Sequence, residues 1–365
     1  MTAGRDGCND PAGERILVVR NRFIGDTVLA IPFLRNLRRA FPEATIDVLV
    51  EPGSGLVLAD CPYKDELLTW RRPPRGGLLP ASLKNILSLA GWLRQRRYSR
   101  AYVLKRSFSS GLLVWLAGIS HRVGFASQGR QLLLSRAVPI RRGQHEVEHF
   151  LDLLRRDGIE VDDGHNENWI LPTAAEEIDS LVAGLPADRR RVFLVPKATN
   201  RQREWPAERM GGIVSWLVRE QNCEVVLCGS PADGPLHEAI LAAADPQARG
   251  HVHDFSLAVR LDRLAALLSR MDLCLGIDTG LIHVAASCGV PAVVLFGPSD
   301  PAQWRPWGTP HTILRGSDRT TASITFEAVQ AAAAQMLASL GNPPAAGPAP
   351  RHGRPRSRSP MPIES

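Results

Sequence analysis

Short apolar runs alternate with amphipathic stretches along most of the chain. Near-continuous apolar runs at residues 15–20, 45–50, 101–104, 192–195, 224–228, 273–277 and 292–296, with a shorter one at 66–70, predict strands. Apolar positions spaced three or four apart predict helices over 26–39, 81–97, 108–117, 144–157, 174–183, 207–219, 236–243, within 255–269, and over 281–288 and 324–340. Strands apolar at every position are buried on both faces, as in a parallel sheet flanked by helices. Strand and helix alternate in two successive series, which predicts an α/β protein of two Rossmann-like, doubly wound domains. The polar, turn-rich residues 162–168 are the expected boundary. The expected domains are 15–165 and 172–340, between a disordered N-terminus at 1–14 and a disordered tail at 341–365 rich in Pro, Arg, Ser and Gly.

The chemistry concentrates where strands end. Residues 271–308 read MDLCLGIDTGLIHVAASCGVPAVVLFGPSDPAQWRPWG. Asp278, Thr279 and Gly280 stop one apolar run and open a helix of small residues that carries His283. Open α/β sheets bind ligands at the carboxyl ends of their strands, and a helix start attracts an anion. An N-cap and a core histidine are the plainer reading of the same residues, at about 1 kcal/mol for the cap. Gly25 and Asp26 hold the equivalent place after the first strand, with Arg22 just before them. Asp26 is either an N-cap or a carboxylate placed for general-base work.

After residue 195 come Lys197, Thr199, Arg201 and Arg203, a basic loop able to clamp a pyrophosphate or simply a solvated one. Trp205 reads as core, and Asp233, after the 224–228 run, as a turn residue. A dinucleotide fold would need G-x-G-x-x-G after the first strand, where the chain has NRFIGD with one glycine. P-loop, H-E-x-x-H and G-x-S-x-G patterns are also missing from the sequence.

These motifs together resemble glycosyltransferase family 9, the ADP-heptose:lipopolysaccharide heptosyltransferases. The resemblance rests on Asp278-Thr279-Gly280-x-x-His283, on Phe296-Gly297-Pro298-Ser299-Asp300-Pro301, on Gly25-Asp26 with Pro32 six residues later, and on Arg203-Glu204-Trp205-Pro206. It implies a GT-B fold, two Rossmann-like domains facing a cleft, and inverting transfer of heptose to the lipopolysaccharide inner core. It implies Asp26 as the base, with Gly25 and Arg22 toward the acceptor. Thr199, Arg203, Asp233, Asp278, Thr279, Gly280 and His283 would bind the donor, with Lys197 a further phosphate contact. The donor implied is ADP-L-glycero-D-manno-heptose, with no metal or other cofactor. In such proteins the terminal helix often packs back across the first domain. Two departures stand out: Lys197 replaces a glycine of the family pattern, and Arg203 a lysine. A transferase or epimerase for another nucleotide sugar, and a non-catalytic binder of nucleotide sugar or anionic lipid, remain alternatives.

Composition sharpens this only in places. With 44% hydrophobic and 22% charged residues the 365-residue chain is of ordinary globular composition. Six cysteines without paired spacing, several inside apolar runs, suggest buried thiols in a reducing compartment. With no signal peptide and no spanning segment in view, a cytoplasmic enzyme touching the inner membrane face is expected. Residues 1–170 carry 25 basic against 18 acidic side chains, and residues 67–145 carry 15 Arg or Lys and no carboxylate. That span favours an anionic partner, for which nucleic acid, an acidic glycolipid and a membrane surface all qualify; no nucleic-acid recognition module is present, and the resemblance implies an anionic glycolipid acceptor.

Overall fold

The computed structural model describes residues 13–20, 23–69, 79–198 and 203–341, the side chains of 79–83 excepted. The chain forms two compact units: Met1–Asn166 with Asp300–Trp307, and Glu167–Ser299 with Gly308–Ser365.

The first unit is built on β1 (Arg15–Val19), β2 (Thr45–Val50), β3 (Glu66–Thr69), β4 (Arg100–Val103), β5 (His121–Phe125) and β6 (Arg136–Val138). They make one parallel sheet in the order β3-β2-β1-β4-β5-β6. Its apolar strands bury both faces, and Ile16 through Val19 are inaccessible to solvent. The strand order reverses between β1 and β4, so the crevice beyond their carboxyl ends is the expected ligand position in this sheet.

The second unit repeats the plan with β7 (Arg190–Val195), β8 (Cys223–Leu227), β9 (Val252–Asp254), β10 (Leu273–Ile277), β11 (Ala292–Phe296) and β12 (His311–Arg315). The order is β12-β11-β10-β7-β8-β9, again all parallel, with the reversal between β7 and β10. Gly276 sits opposite Val195 at that junction. A Cβ there would stand 2.2 Å from the Val195 carbonyl oxygen, so only glycine lets the two backbones come this close.

Four differences from the pattern expected of the sequence have physical causes. The segment expected to be one helix over 26–39 is two, Ile24–Val28 and Ile31–Ala40. Pro32 lies in the first turn of the second, where its missing N–H costs nothing, and the chain breaks just before it. Strands β5, β6, β9 and β12 have no counterpart among the elements expected from the apolar pattern; they are short or half-polar. The terminal helix, Phe326–Ser339, packs on the second unit's own sheet, contributing Val329, Ala333 and Leu337 to its core rather than crossing to the first domain. The segment that joins the first unit is instead Asp300–Trp307, although the expected boundaries put it within 172–340. Its Trp307 stacks on His145 at 4.5 Å and donates Nε1–H to the Gly164 carbonyl.

Candidate functional site

In the second unit, pairing of β10 with β7 brings their two following loops together at the sheet's reversal point. Asp278 follows β10 directly. Its N–H donates to the Leu295 carbonyl at 3.1 Å, which extends the pairing with β11 by one residue and fixes the carboxyl at the lip of the sheet. The residue is only 6% exposed. Burial pushes its carboxyl above the ordinary aspartate value, with the Ser299 hydroxyl and the charge of Arg203 working against that. The Arg203 guanidinium stands 3.8 Å from this carboxylate and is itself partly exposed.

Thr279 is the N-cap of the helix Gly280–Ser287, with extended backbone, yet its side chain makes no cap hydrogen bond. Its Oγ1 is buried and has no hydrogen-bond partner among the described residues. An N-cap threonine normally uses that oxygen on a first-turn amide; here the Ile282 N–H donates to the Thr279 carbonyl at 3.2 Å instead, and the hydroxyl is left for something else. Gly280 opens the helix, and His283 is buried in its first turn. Asp278, Thr279, Gly280, His283 and Arg203 therefore gather at one place, as the motif predicts.

Other expected donor contacts fare differently. The Lys197 ammonium pairs with Glu204 at 3.2 Å, so the loop is less cationic than its sequence suggests. Asp233 is engaged locally, where its Oδ2 accepts from the Ser230 amide at 2.7 Å and hydroxyl at 2.9 Å and closes a capping box. Trp205 is core, its Nε1–H donating to the Ile324 carbonyl at 3.0 Å. Thr199 and Arg201 lie outside the described residues, as does Arg22.

In the first unit, Asp26 lies in the short helix that opens just past β1, with Gly25 buried beside it. Phe23, at φ 26°, turns the chain sharply into this helix, an unusual backbone for a bulky residue. The Asp26 carboxylate is ion-paired with Arg20, which also donates Nε–H to the Asp26 carbonyl at 3.2 Å. Arg20 is almost fully buried at the end of β1, its guanidinium over the Phe150 ring. Next to this pair, buried Glu146 accepts from Arg106 at 2.5 Å and from Gln303 at 2.8 Å, and contacts His149 Nδ1 at 3.2 Å. Burial raises the Glu146 carboxyl, but His149, the Arg106 and Arg20 charges and Gln303 outweigh it and hold the group below its ordinary value.

Sequence reasoning misses Arg20, Arg106, Glu146 and His149. The available signal is basic residues ending two apolar runs, one at Arg20 and a pair at Lys105-Arg106.

The carboxylate-free span also looks different in three dimensions. Arg96 pairs with Glu66, Arg100 with Glu14 and Asp157, and Arg106 with Glu146, so partners arrive from outside the span. Arg122 and Arg130 spend their guanidinium groups on backbone carbonyls. Five of the cysteines are described, all buried, and burial pushes the thiols of Cys223, Cys228 and Cys288 up to about 12. Among the described residues no helix is long and apolar enough to cross a membrane.

Two doubly wound units, one with an anion-ready helix start and one with a carboxylate past its first strand, define a glycosyltransferase of GT-B type. Residues 86–333 match the model of glycosyltransferase family 9 (heptosyltransferase), and the chain belongs to that family. It is 29% identical over 296 residues to lipopolysaccharide heptosyltransferase 2 of Escherichia coli strain K12, covering 79% of this chain and 84% of that one. Among solved structures, the ADP-heptose lps heptosyltransferase II of E. coli superposes with a TM-score of 0.75 at 24% identity, covering 89% of this chain and 99% of that one. The E. coli heptosyltransferase WaaC with ADP gives 0.70 at 19% identity, over 88% and 99% of the two chains.

Proposed function

We propose that this enzyme transfers heptose, with inversion, from ADP-L-glycero-D-manno-heptose to a hydroxyl of an anionic glycolipid of the lipopolysaccharide inner core. The observation that carries the donor half is the buried Thr279 Oγ1, without a partner among the described residues, at a helix start beside Arg203. A diphosphate supplies acceptor oxygens for this hydroxyl, for the amides that open the helix and for the guanidinium. The heptosyltransferase relatives, one of them solved with ADP, support that choice of ligand.

In the reaction, the acceptor hydroxyl oxygen attacks the anomeric carbon and its proton passes to the Asp26 carboxylate. The bond from the anomeric carbon to the diphosphate oxygen breaks, and ADP leaves with the electron pair. Charge grows on that diphosphate in the transition state. The helix start and Arg203 are fixed donors aimed at it, and such preorganised groups are worth several kcal/mol. Lys197 joins them once it exchanges Glu204 for phosphate. These cations do the work that a metal performs in other transferases, and the reading calls for none. Asp278 and His283 orient the sugar and its phosphate. Arg20 holds the Asp26 carboxylate in place by gripping its side chain and its carbonyl together.

The test is direct. Asp26→Asn should lower turnover by about 10²–10⁴-fold, the usual scale of general-base help, while the ADP-induced rise in melting temperature is kept. Turnover at the parent rate, followed by mass spectrometry of the glycolipid product, would remove Asp26 from the mechanism. A panel of nucleotide sugars in the same assay decides the donor.

A further inference from the structure

The face of the first unit formed by the helices Leu79–Gln95 and Phe108–Leu116 and the turn Arg130–Leu133 carries side chains that its core does not use. The Phe108–Leu116 helix has no charged residue. Its inner side, Leu113 and Val114, belongs to the core. Its outer side carries Phe108, Leu112 and Trp115, at spacings of four and three, which is one stripe along the helix. Phe108 is 44% exposed and Trp115 50%.

The turn Arg130–Leu133 lies hard against this helix at Gly111, where a Cβ would stand 3.3 Å from Arg130 Cβ. The same turn carries Leu132, which is 89% exposed. On the other flank, the Arg94 guanidinium rests against Gly118, one turn beyond Trp115. The neighbouring Leu79–Gln95 helix adds exposed Leu87 and Lys84, and Arg97 follows it, also exposed.

Every element of this face lies within residues 67–145, which contain no Asp or Glu. Several arginines of that span are spent on internal pairs, as described above. Among the described residues, Lys84, Arg94 and Arg97 are exposed cations left around the apolar stripe. Aromatic and leucine side chains ringed by cations, with no carboxylate on the same elements, match the chemistry of a bilayer interface. The rings enter the headgroup layer and the cations meet anionic lipid.

We propose that this face, centred on Phe108, Leu112 and Trp115, docks the enzyme on an anionic lipid bilayer. The inference deepens the glycolipid-acceptor reading and rests on it for its purpose. Its test, however, uses neither donor nor acceptor.

Full-length protein is sedimented with vesicles of phosphatidylcholine containing roughly one-third phosphatidylglycerol, and with phosphatidylcholine alone, in the absence of any glycolipid. Binding to the anionic vesicles is expected, weakening as salt is raised. The double variant Phe108→Ser/Trp115→Ser should bind about tenfold or more weakly. Both side chains are surface-exposed, so the variant should keep the parent's melting temperature and its thermal response to ADP. Arg94→Gln should lower affinity for the anionic vesicles and leave any binding to the neutral ones unchanged.

Equal binding of the parent to both vesicle types, or unchanged binding by the double variant, overturns the proposal. So does a parent dimer that the double variant converts to monomer while neither binds vesicles, since a second copy would then be the occupant. Loss of ADP binding by the parent would instead count against the heptosyl-transfer reading, and leaves the vesicle result to stand by itself.

Discussion

Asp278 and Thr279 each carry a cost to the fold, in two different ways. For Asp278, burial raises the carboxyl above the ordinary aspartate value. A carboxyl raised in the folded state makes folding less favourable as pH climbs from the unfolded value through the folded one. At neutral pH it is a net cost. Asp278→Asn should therefore raise the melting temperature of the ligand-free protein, by about 2–4 °C for each kcal/mol recovered. The same change should reduce turnover, because Arg203 loses the anion that positions it. Scanning calorimetry and the transfer assay, run on one preparation, check both signs. For Thr279, the cost is a buried hydroxyl without a partner among the described residues. Thr279→Val keeps the shape and removes the orphaned group. It should leave stability unchanged or slightly improved and weaken ADP binding by about 10-fold, the worth of one hydrogen bond to a charged group. Titration calorimetry with ADP reads that directly; full-strength ADP binding by the valine variant would mean the hydroxyl faces no phosphate.

At the scale of elements, one side chain ties three of them. Asp157 ends the helix Glu146–Arg156 and accepts from Arg100 and the Tyr102 hydroxyl on β4, both at 2.7 Å, and from His121 on β5 at 2.8 Å. Burial raises its carboxyl, but the bonds from His121 and Tyr102 and the nearby positive charges bring it below its ordinary value. A depressed carboxyl stabilises the fold above the unfolded value, and that contribution is lost as pH falls through the folded one. Asp157→Ala should cost about 3 kcal/mol, the lower end for breaking a buried ion pair, since Arg100 keeps Glu14. Urea unfolding should show the loss at neutral pH and a smaller difference in acid.

The same scale shows what can be read from the chain alone. Strands β1, β2, β7, β8, β10 and β11 announce themselves because both faces are covered and most of their residues are apolar. β6 and β12 lie at sheet edges, and β5 begins with His121 and Arg122; their pairing comes from neighbours that a local pattern does not contain. The donor motif is legible because Asp278 to His283 is contiguous. The Arg20–Asp26 and Arg106–Glu146 pairs are not, because the second joins residues 40 apart in sequence and buried charges look like surface ones in a one-dimensional reading. The carboxylate-free span misleads in the same manner, since Glu14, Glu66, Glu146 and Asp157 reach it only in space.

For the whole molecule, the core of the second unit is closed by Val329, Ala333 and Leu337 of the helix Phe326–Ser339. The 23 residues from 343 onward follow that helix and are rich in Pro, Arg, Ser and Gly. Deleting 343–365 should leave turnover and melting temperature at parent levels; a large fall in turnover would give the tail a part in the reaction.

The chain passes from one unit to the other three times, after Asn166, after Ser299 and after Trp307. His145 and Glu146 receive their partners Arg305 and Gln303 only from the returning octapeptide. A ribosome releasing this protein from its amino end must therefore finish most of the message before the first unit can complete itself. Until then the contacts that Gln303 and Arg305 make to Glu146 and His145 are missing, so the first unit cannot reach its final set of hydrogen bonds while only its own amino-terminal stretch has been synthesised.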